Sequence, residues 1–241
     1  MASTKISLVS FRNTLPFEYG LKHSGLDINL SKDVPSMAAY KLKEGLVDIG
    51  LVPVASLHDY KHFHIISDYC IGSDGPVKSV MLYANKPIEK LKQIVLDSNS
   101  VTSNMLLRVL LRQYWKLNIE LLREPSNTED TGYLLIGDKT FDDSLSKFEY
   151  QYDLSEYWKK LTQLPFVFAL WISLKPVSEE FIKVFNSALA IGIEKLPELI
   201  KPYNNLHKGL TEEEYFEQCI RYQFDAKMKV ALAKFLEWSK D

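Results

Sequence analysis

QIVLDSNSVTSNMLLRVLLRQYW, residues 93–115, changes its hydrophobic period halfway along. The run around Ile94, Val95 and Leu96 is too short for a helix and reads as a strand over 93–97. From Ser103 onward, Met105, Leu106, Val109 and Leu110 recur at the three- and four-residue spacing of one helical face, which predicts a helix over 103–115. Between the two stand Ser98, Asn99, Ser100, Thr102, Ser103 and Asn104, more small polar residues than a turn needs. A strand, a polar connection and a helix are the opening of a β–α unit.

The same alternation extends outward in both directions. KISLVSF (5–11) alternates and stops at RNTLP (12–16), a strand followed by a turn or helix start. VPSMAAYKLKEG (34–45) predicts a helix capped by Ser36 and stopped by Gly45, with Met37, Tyr40, Leu42 and Leu46 toward one face. VDIGLVPVASL (47–57) is almost wholly apolar, as expected of a strand covered on both sides. VKSVMLYAN (77–85), LNIELL (117–122), GYLLIGD (132–138) and FVFALWISL (166–174) read as further strands, and LSEYWKKLT (154–162) as a short helix. Beyond Pro176 no strand is read. Residues 178–196 and 211–239 predict amphipathic helices, the second opened by Thr211 and three glutamates.

The expected class is α/β, with mainly parallel sheets flanked by helices. Pro87 and the stretch between Pro165 and Pro176 bracket a middle segment with its own strand–helix–strand pattern. The expected organisation is a discontinuous lobe, 1–86 plus 176–241, and an inserted lobe, 87–175, with hinges near 84–88 and 172–176. Ligands of such folds sit in the crevice at the carboxyl ends of the strands, here between the lobes.

Bulk composition narrows the function classes. The 241 residues are 46% apolar and 25% charged, and 29 basic against 31 acidic residues give a net charge of −2, with no basic footprint for nucleic acid. No apolar stretch reaches the length of a membrane helix, and MASTKISLVSF is too short in its apolar part for an export signal. The expectation is a cytoplasmic protein. Cys70 and Cys219, the two cysteines, suit buried free thiols and form no metal-binding spacing. His58 and His62 stand one helical turn apart, but no nearby carboxylate completes a ligand set, so no metal is expected.

Unusual polar stretches cluster at strand ends: RNT (12–14), PVAS (53–56) with Ser56, DSNSVTSN (97–104) with Ser98, Thr102 and Ser103, and IGD (136–138) with Asp138. SDGPVKS (73–79), with Lys78 and Ser79, precedes another strand. Together these offer hydroxyls, amides and backbone N–H groups, with Arg12 or Lys78 as the nearest cations, a lining suited to a small carboxylated molecule. The first amides of the helix near Ser103 lack intrahelical acceptors and carry partial positive charge, so they form an anion seat. The plainer reading of that stretch is an N-cap in an ordinary strand–helix connection.

Five segments carry a resemblance: VSFRNTLPFEYGL (9–21), LKEGLVDIGLVPVASL (42–57), CIGSDGPVKSVMLY (70–83), VLDSNSVTSNMLLRVLL (95–111) and YLLIGD…YDLSEYWKKLTQLPFVFALW (133–171). In order and spacing they resemble chorismate dehydratase of the futalosine route to menaquinone. The resemblance implies the two-lobed fold of type II periplasmic solute-binding proteins and a hydro-lyase that removes water from chorismate, without a cofactor, to give 3-[(1-carboxyvinyl)oxy]benzoate. It implies Asn13 and Ser79 as the residues at the reacting substrate. Thr102 and Ser103 fall to a substrate carboxylate, and Asp138 to orienting a donor or the leaving hydroxyl. Ser56, Lys78 and Ser98 complete the expected substrate-binding set. The chain departs from the pattern at Arg12, Lys78, Asn99 and Val101, where an apolar or small residue, arginine, serine and arginine are more usual. Two alternatives are weaker fits. The 1,4-dihydroxy-6-naphthoate synthase of the same pathway has a histidine near the strand end that here reads IGD. A solute-binding protein for an aromatic acid would carry an export signal.

Overall fold

The computed structural model describes residues 3–124, 126, 128–202, 205–207 and 210–240. Its first strands are β1 (Thr4–Val9), β2 (Ile28–Asp33), β3 (Ile49–Pro53), β4 (His64–Ser73), β5 (Val80–Ala84) and β6 (Gln93–Val95). They are followed by β7 (Glu120–Leu122), β8 (Thr131–Ile136), β9 (Tyr150–Asp153), β10 (Phe166–Ser173), a small hairpin of β11 (Asn205–His207) and β12 (Leu210–Thr211), and β13 (Arg221–Gln223). The helices are α1 (Leu15–Lys22), α2 (Pro35–Lys43), α3 (Val101–Leu110), α4 (Leu154–Thr162), α5 (Glu179–Glu194), α6 (Leu196–Ile200), α7 (Glu212–Glu214) and α8 (Ala226–Trp238).

Apart from the β11–β12 hairpin, two sheets divide these strands. The larger runs β13-β4-β10-β3-β1-β2 and the smaller β7-β6-β8-β5-β9. Each is mixed rather than mainly parallel. β1 pairs in parallel with β2 and β3, and β6 with β7 and β8, but every pair involving β4, β5, β10 or β13 is antiparallel. The physical reason lies in the path of the chain. It leaves the larger sheet along β4 and re-enters along the neighbouring β10, and it enters the smaller sheet along β5 and leaves along the neighbouring β9. An outgoing strand and a returning strand that lie side by side must point in opposite directions.

The chain changes sheet between β4 and β5 and between β9 and β10. Pro87 only caps a short turn over Ile88–Lys90 after β5, and Pro176 lies in the turn between β10 and α5. Both passages meet at one buried carboxylate. Asp153 Oδ2 accepts the amides of Val77 and Lys78 at 2.8 and 2.7 Å, and its Oδ1 accepts those of Ser155 and Glu156 at 3.0 and 3.2 Å. Asp153 thus caps α4 on the return passage and holds the outward passage beside it.

The remaining differences from the sequence pattern also have local causes. Helix α2 starts two residues earlier than a Ser36 cap requires, with Val34 at the cap and Pro35 in the first turn. That phase buries Pro35, Ala38 and Leu42 and leaves Met37, Tyr40 and Leu46 exposed. The 211–239 stretch is not one helix: Thr211 and Glu214 form a reciprocal capping box on α7, a π-turn follows over Tyr215–Cys219, and β13 adds to β4 before α8 begins at the Asp225 cap. Strands therefore do occur beyond Pro176. Cys70 and Cys219 are buried free thiols, and among the described residues no helix is long and apolar enough to cross a membrane.

One helix pair seats the turn that carries Asn13. α1 begins directly after Thr14 and crosses α5 at Gly20 and Gly192. A Cβ on Gly192 would fall 1.9 Å from the Pro16 carbonyl oxygen, and one on Gly20 2.0 Å from that of Ala188. The two backbones touch there, which only glycine permits.

Candidate active site

Between the sheets lies a cavity lined by residues of both. The larger sheet supplies its apolar floor through Val9, Leu51, Pro53, Ile71, Phe168 and Ala169. Its polar groups are Asn13, Thr14, Ser79, Ser100, Thr102 and Ser103. None of the lining residues has an ionisable side chain. The sequence-predicted Asn13, Ser79, Thr102 and Ser103 are thus brought together, each at least nine-tenths buried.

At one end the cavity meets the start of α3. Ser100, which the sequence reading did not single out as a site residue, is the cap: its Oγ accepts the Ser103 amide at 3.0 Å and donates to Ser103 Oγ at 2.8 Å. Ser103 Oγ thereby receives a hydrogen bond and keeps its own hydrogen for another acceptor. Capping occupies the Ser103 amide and leaves the Ser103 hydroxyl as a donor. Thr102 is engaged differently. Its Oγ1 accepts the Ala55 amide at 3.1 Å and donates toward the Phe168 carbonyl at 3.5 Å, so its hydroxyl ties α3 to the larger sheet.

Asn13 and Ser79 rest on two tyrosines from the C-terminal segment. Tyr222 Oη donates to the Asn13 carbonyl at 2.8 Å, and Tyr215 Oη to Ser79 Oγ at 3.2 Å. Both phenols are buried, and burial pushes their ionisation above the ordinary tyrosine range. They remain neutral donors at any working pH. The sequence offered one signal for them, aromatic residues at inward positions of the 211–239 pattern, and that signal is indistinguishable from ordinary core.

Four predicted residues lie elsewhere. Ser56 is buried, but its Oγ donates to the Pro53 carbonyl at 2.7 Å and it is not part of the lining. Lys78 has a left-handed backbone (φ 62°) and an exposed side chain; its contribution is the amide held by Asp153. Ser98 is exposed and lines a separate outer groove with Asp97, Arg108 and Arg123. Asp138 is exposed and receives the Arg12 amide at 3.4 Å. Arg12 itself pairs with the buried carboxylate of Glu212, whose ionisation is raised by burial against the pull of that guanidinium. The cation nearest the Asn13 turn is therefore matched by an anion. Gly137, just before Asp138, has φ 63° and lies so close to Phe11 that a Cβ would come within 2.8 Å of the ring, which brings the two lobes together at the cavity mouth.

Comparison with known proteins places this geometry in context. A family model described as menaquinone biosynthesis matches residues 4–241. Chorismate dehydratase of Thermus thermophilus is 26% identical over 224 residues, covering 80% of this chain and 79% of that protein. Protein AF1704 from Archaeoglobus fulgidus superposes with a TM-score of 0.74 at 16% identity, over 99% of this chain and 97% of that one. The Candida albicans CA3427 product, described as having the generic periplasmic binding protein fold, superposes at 0.61 with 14% identity, over 99% and 90% of the two chains. The chain has the periplasmic-binding-protein-like fold, two α/β lobes around a cleft.

Proposed function

The chain belongs to the menaquinone-biosynthesis family, and on that premise we propose that it is a hydro-lyase converting chorismate to 3-[(1-carboxyvinyl)oxy]benzoate. One observation carries the reading: a cavity between the lobes lined by neutral hydrogen-bond donors on an apolar floor. Chorismate is a dianion built on a cyclohexadiene ring. The floor takes the ring, and the hydroxyl of Ser103 at the start of α3 donates to a carboxylate.

The chemistry follows from the substrate. The ring hydrogen beside the enolpyruvyl ether is vinylogous to the ring carboxylate, so its removal as a proton spreads the negative charge into that carboxylate. Expulsion of hydroxide from the adjacent carbon then restores neutrality to the ring and makes it aromatic. The abstracted proton and the hydroxide leave as water. Asn13 and Ser79 stabilise charge as it develops, because neutral donors in a buried cavity are strongly felt. The lining holds no side chain suited to be the base, so the base we assign is the enolpyruvyl carboxylate of the substrate itself, held against the hydrogen it removes. We place the lobe limits where the chain changes sheet, at the two passages held by Asp153.

The test is direct. Purified protein mixed with chorismate, without added metal, is followed for the aromatic ether by absorbance and chromatography. Stoichiometric appearance of that product supports the reading. A shift in melting temperature without turnover would instead mark an aromatic-acid binder.

A further inference from the structure

Ser79 is held from behind as well as facing the cavity. Tyr215 is 1% exposed, is not part of the cavity lining, and brings its hydroxyl to 3.2 Å from Ser79 Oγ. Its ring is wedged edge-on against Phe141 of the smaller-sheet lobe at 5.0 Å and against Phe216 at 5.3 Å. It sits at the first position of the π-turn Tyr215–Cys219, a widened turn of the kind that re-aims side chains at functional sites.

A neutral phenol has one hydrogen, and here it is directed at Ser79 Oγ. Ser79 Oγ, filled as an acceptor from that side, has its own hydrogen left for a partner in the cavity. We propose that Tyr215 is a positioning residue: its hydroxyl fixes Ser79 as a hydrogen-bond donor aimed at the reacting face of the substrate. This deepens the dehydratase reading and rests on it.

The experiment is a double-mutant cycle on chorismate turnover with Tyr215→Phe, Ser79→Ala and the double variant. Tyr215→Phe lowers kcat by about 10²-fold while KM stays within about 3-fold, because the lost function is orientation in the transition state. The double variant is no slower than Ser79→Ala alone, since Tyr215 acts only through Ser79. Losses that multiply in the double variant overturn the proposal, as does an undiminished kcat in Tyr215→Phe. Tyr83→Phe, which deletes a buried hydroxyl bonded to the Thr140 carbonyl away from the cavity, controls for stability and keeps full turnover. Should Tyr215→Phe fail to melt cooperatively, Tyr215→Met fills the site without the hydroxyl and enters the same cycle. A wild-type protein that leaves chorismate unchanged overturns the dehydratase reading itself, an outcome distinct from any result of the cycle.

Discussion

Ala55 donates its amide to Thr102 Oγ1 at 3.1 Å, joining the turn after β3 to the first turn of α3 across the space between the lobes. The threonine hydroxyl is therefore a structural tie as well as part of the lining. Thr102→Val keeps the shape and leaves a buried amide without its acceptor, at a cost of about 1–3 kcal/mol. The expected result is a fall in melting temperature of roughly 3–9 °C. Ser103→Ala, by contrast, removes a hydroxyl whose hydrogen faces the cavity and raises KM for chorismate with little change in melting. Thermal melts paired with steady-state kinetics separate the two.

Asn13 and Ser79 line the cavity on two tyrosine supports. Asn13→Ala and Ser79→Ala each lower kcat by about 10²–10³-fold, the usual loss when one preorganised donor is removed. Turnover at the wild-type rate in both variants contradicts the assignment.

The α1–α5 crossing has no room for a side chain. Gly192→Ala forces a methyl group to within 1.9 Å of the Pro16 carbonyl oxygen unless the helices separate. Such overpacking costs about 1–3 kcal/mol or more. A loss of several degrees in melting temperature is expected, along with a lower kcat, because α1 begins directly after the Asn13–Thr14 turn.

Asp153 makes stability depend on pH. Burial pushes its carboxyl up to about 6, against the pull of four backbone amides and Lys78. An acid whose folded pKa lies above its unfolded value binds its proton more tightly when folded. Its contribution is therefore fully present below the ordinary carboxylate pKa of about 4 and is lost as pH rises through about 6. Glu18, Asp33 and Asp130, which lysines hold below their usual range, work in the opposite sense. The diagnostic quantity is thus a difference. Between pH 4 and pH 7 the urea midpoint of the wild type declines relative to that of Asp153→Asn, and parallel curves would refute the assignment.

Much of the fold was legible because its signals are local. β3 and β10 announce themselves as short apolar runs, and Leu154–Thr162 is helical over the residues its periodicity predicted. What escaped depends on partners distant in sequence. β4 hides behind Ser67 and Asp68, which bond to Asn186 of α5, and β13 is a three-residue strand that exists only because β4 is beside it. Parallel and antiparallel pairing could not be separated either, since apolar content reports burial and not direction. In the cavity, Asn13, Ser79, Thr102 and Ser103 were readable as polar residues at strand and helix ends. Ser56, Lys78, Ser98 and Asp138 satisfy the same rule, yet local geometry turns them to a backbone carbonyl, to solvent or to the rim. Residue type marks a neighbourhood, and only the backbone decides which way a side chain points.

Tyr215 and Tyr222 support residues that precede them by 136 and 209 positions. During synthesis the polypeptide emerges from its N-terminus first, so Asn13 and Ser79 leave the ribosome long before the phenols that prop them. A nascent chain with every recognisable signature segment already outside the exit tunnel still lacks the underside of its pocket. The pocket's supports are complete only once the aromatic stretch that carries those phenols has followed.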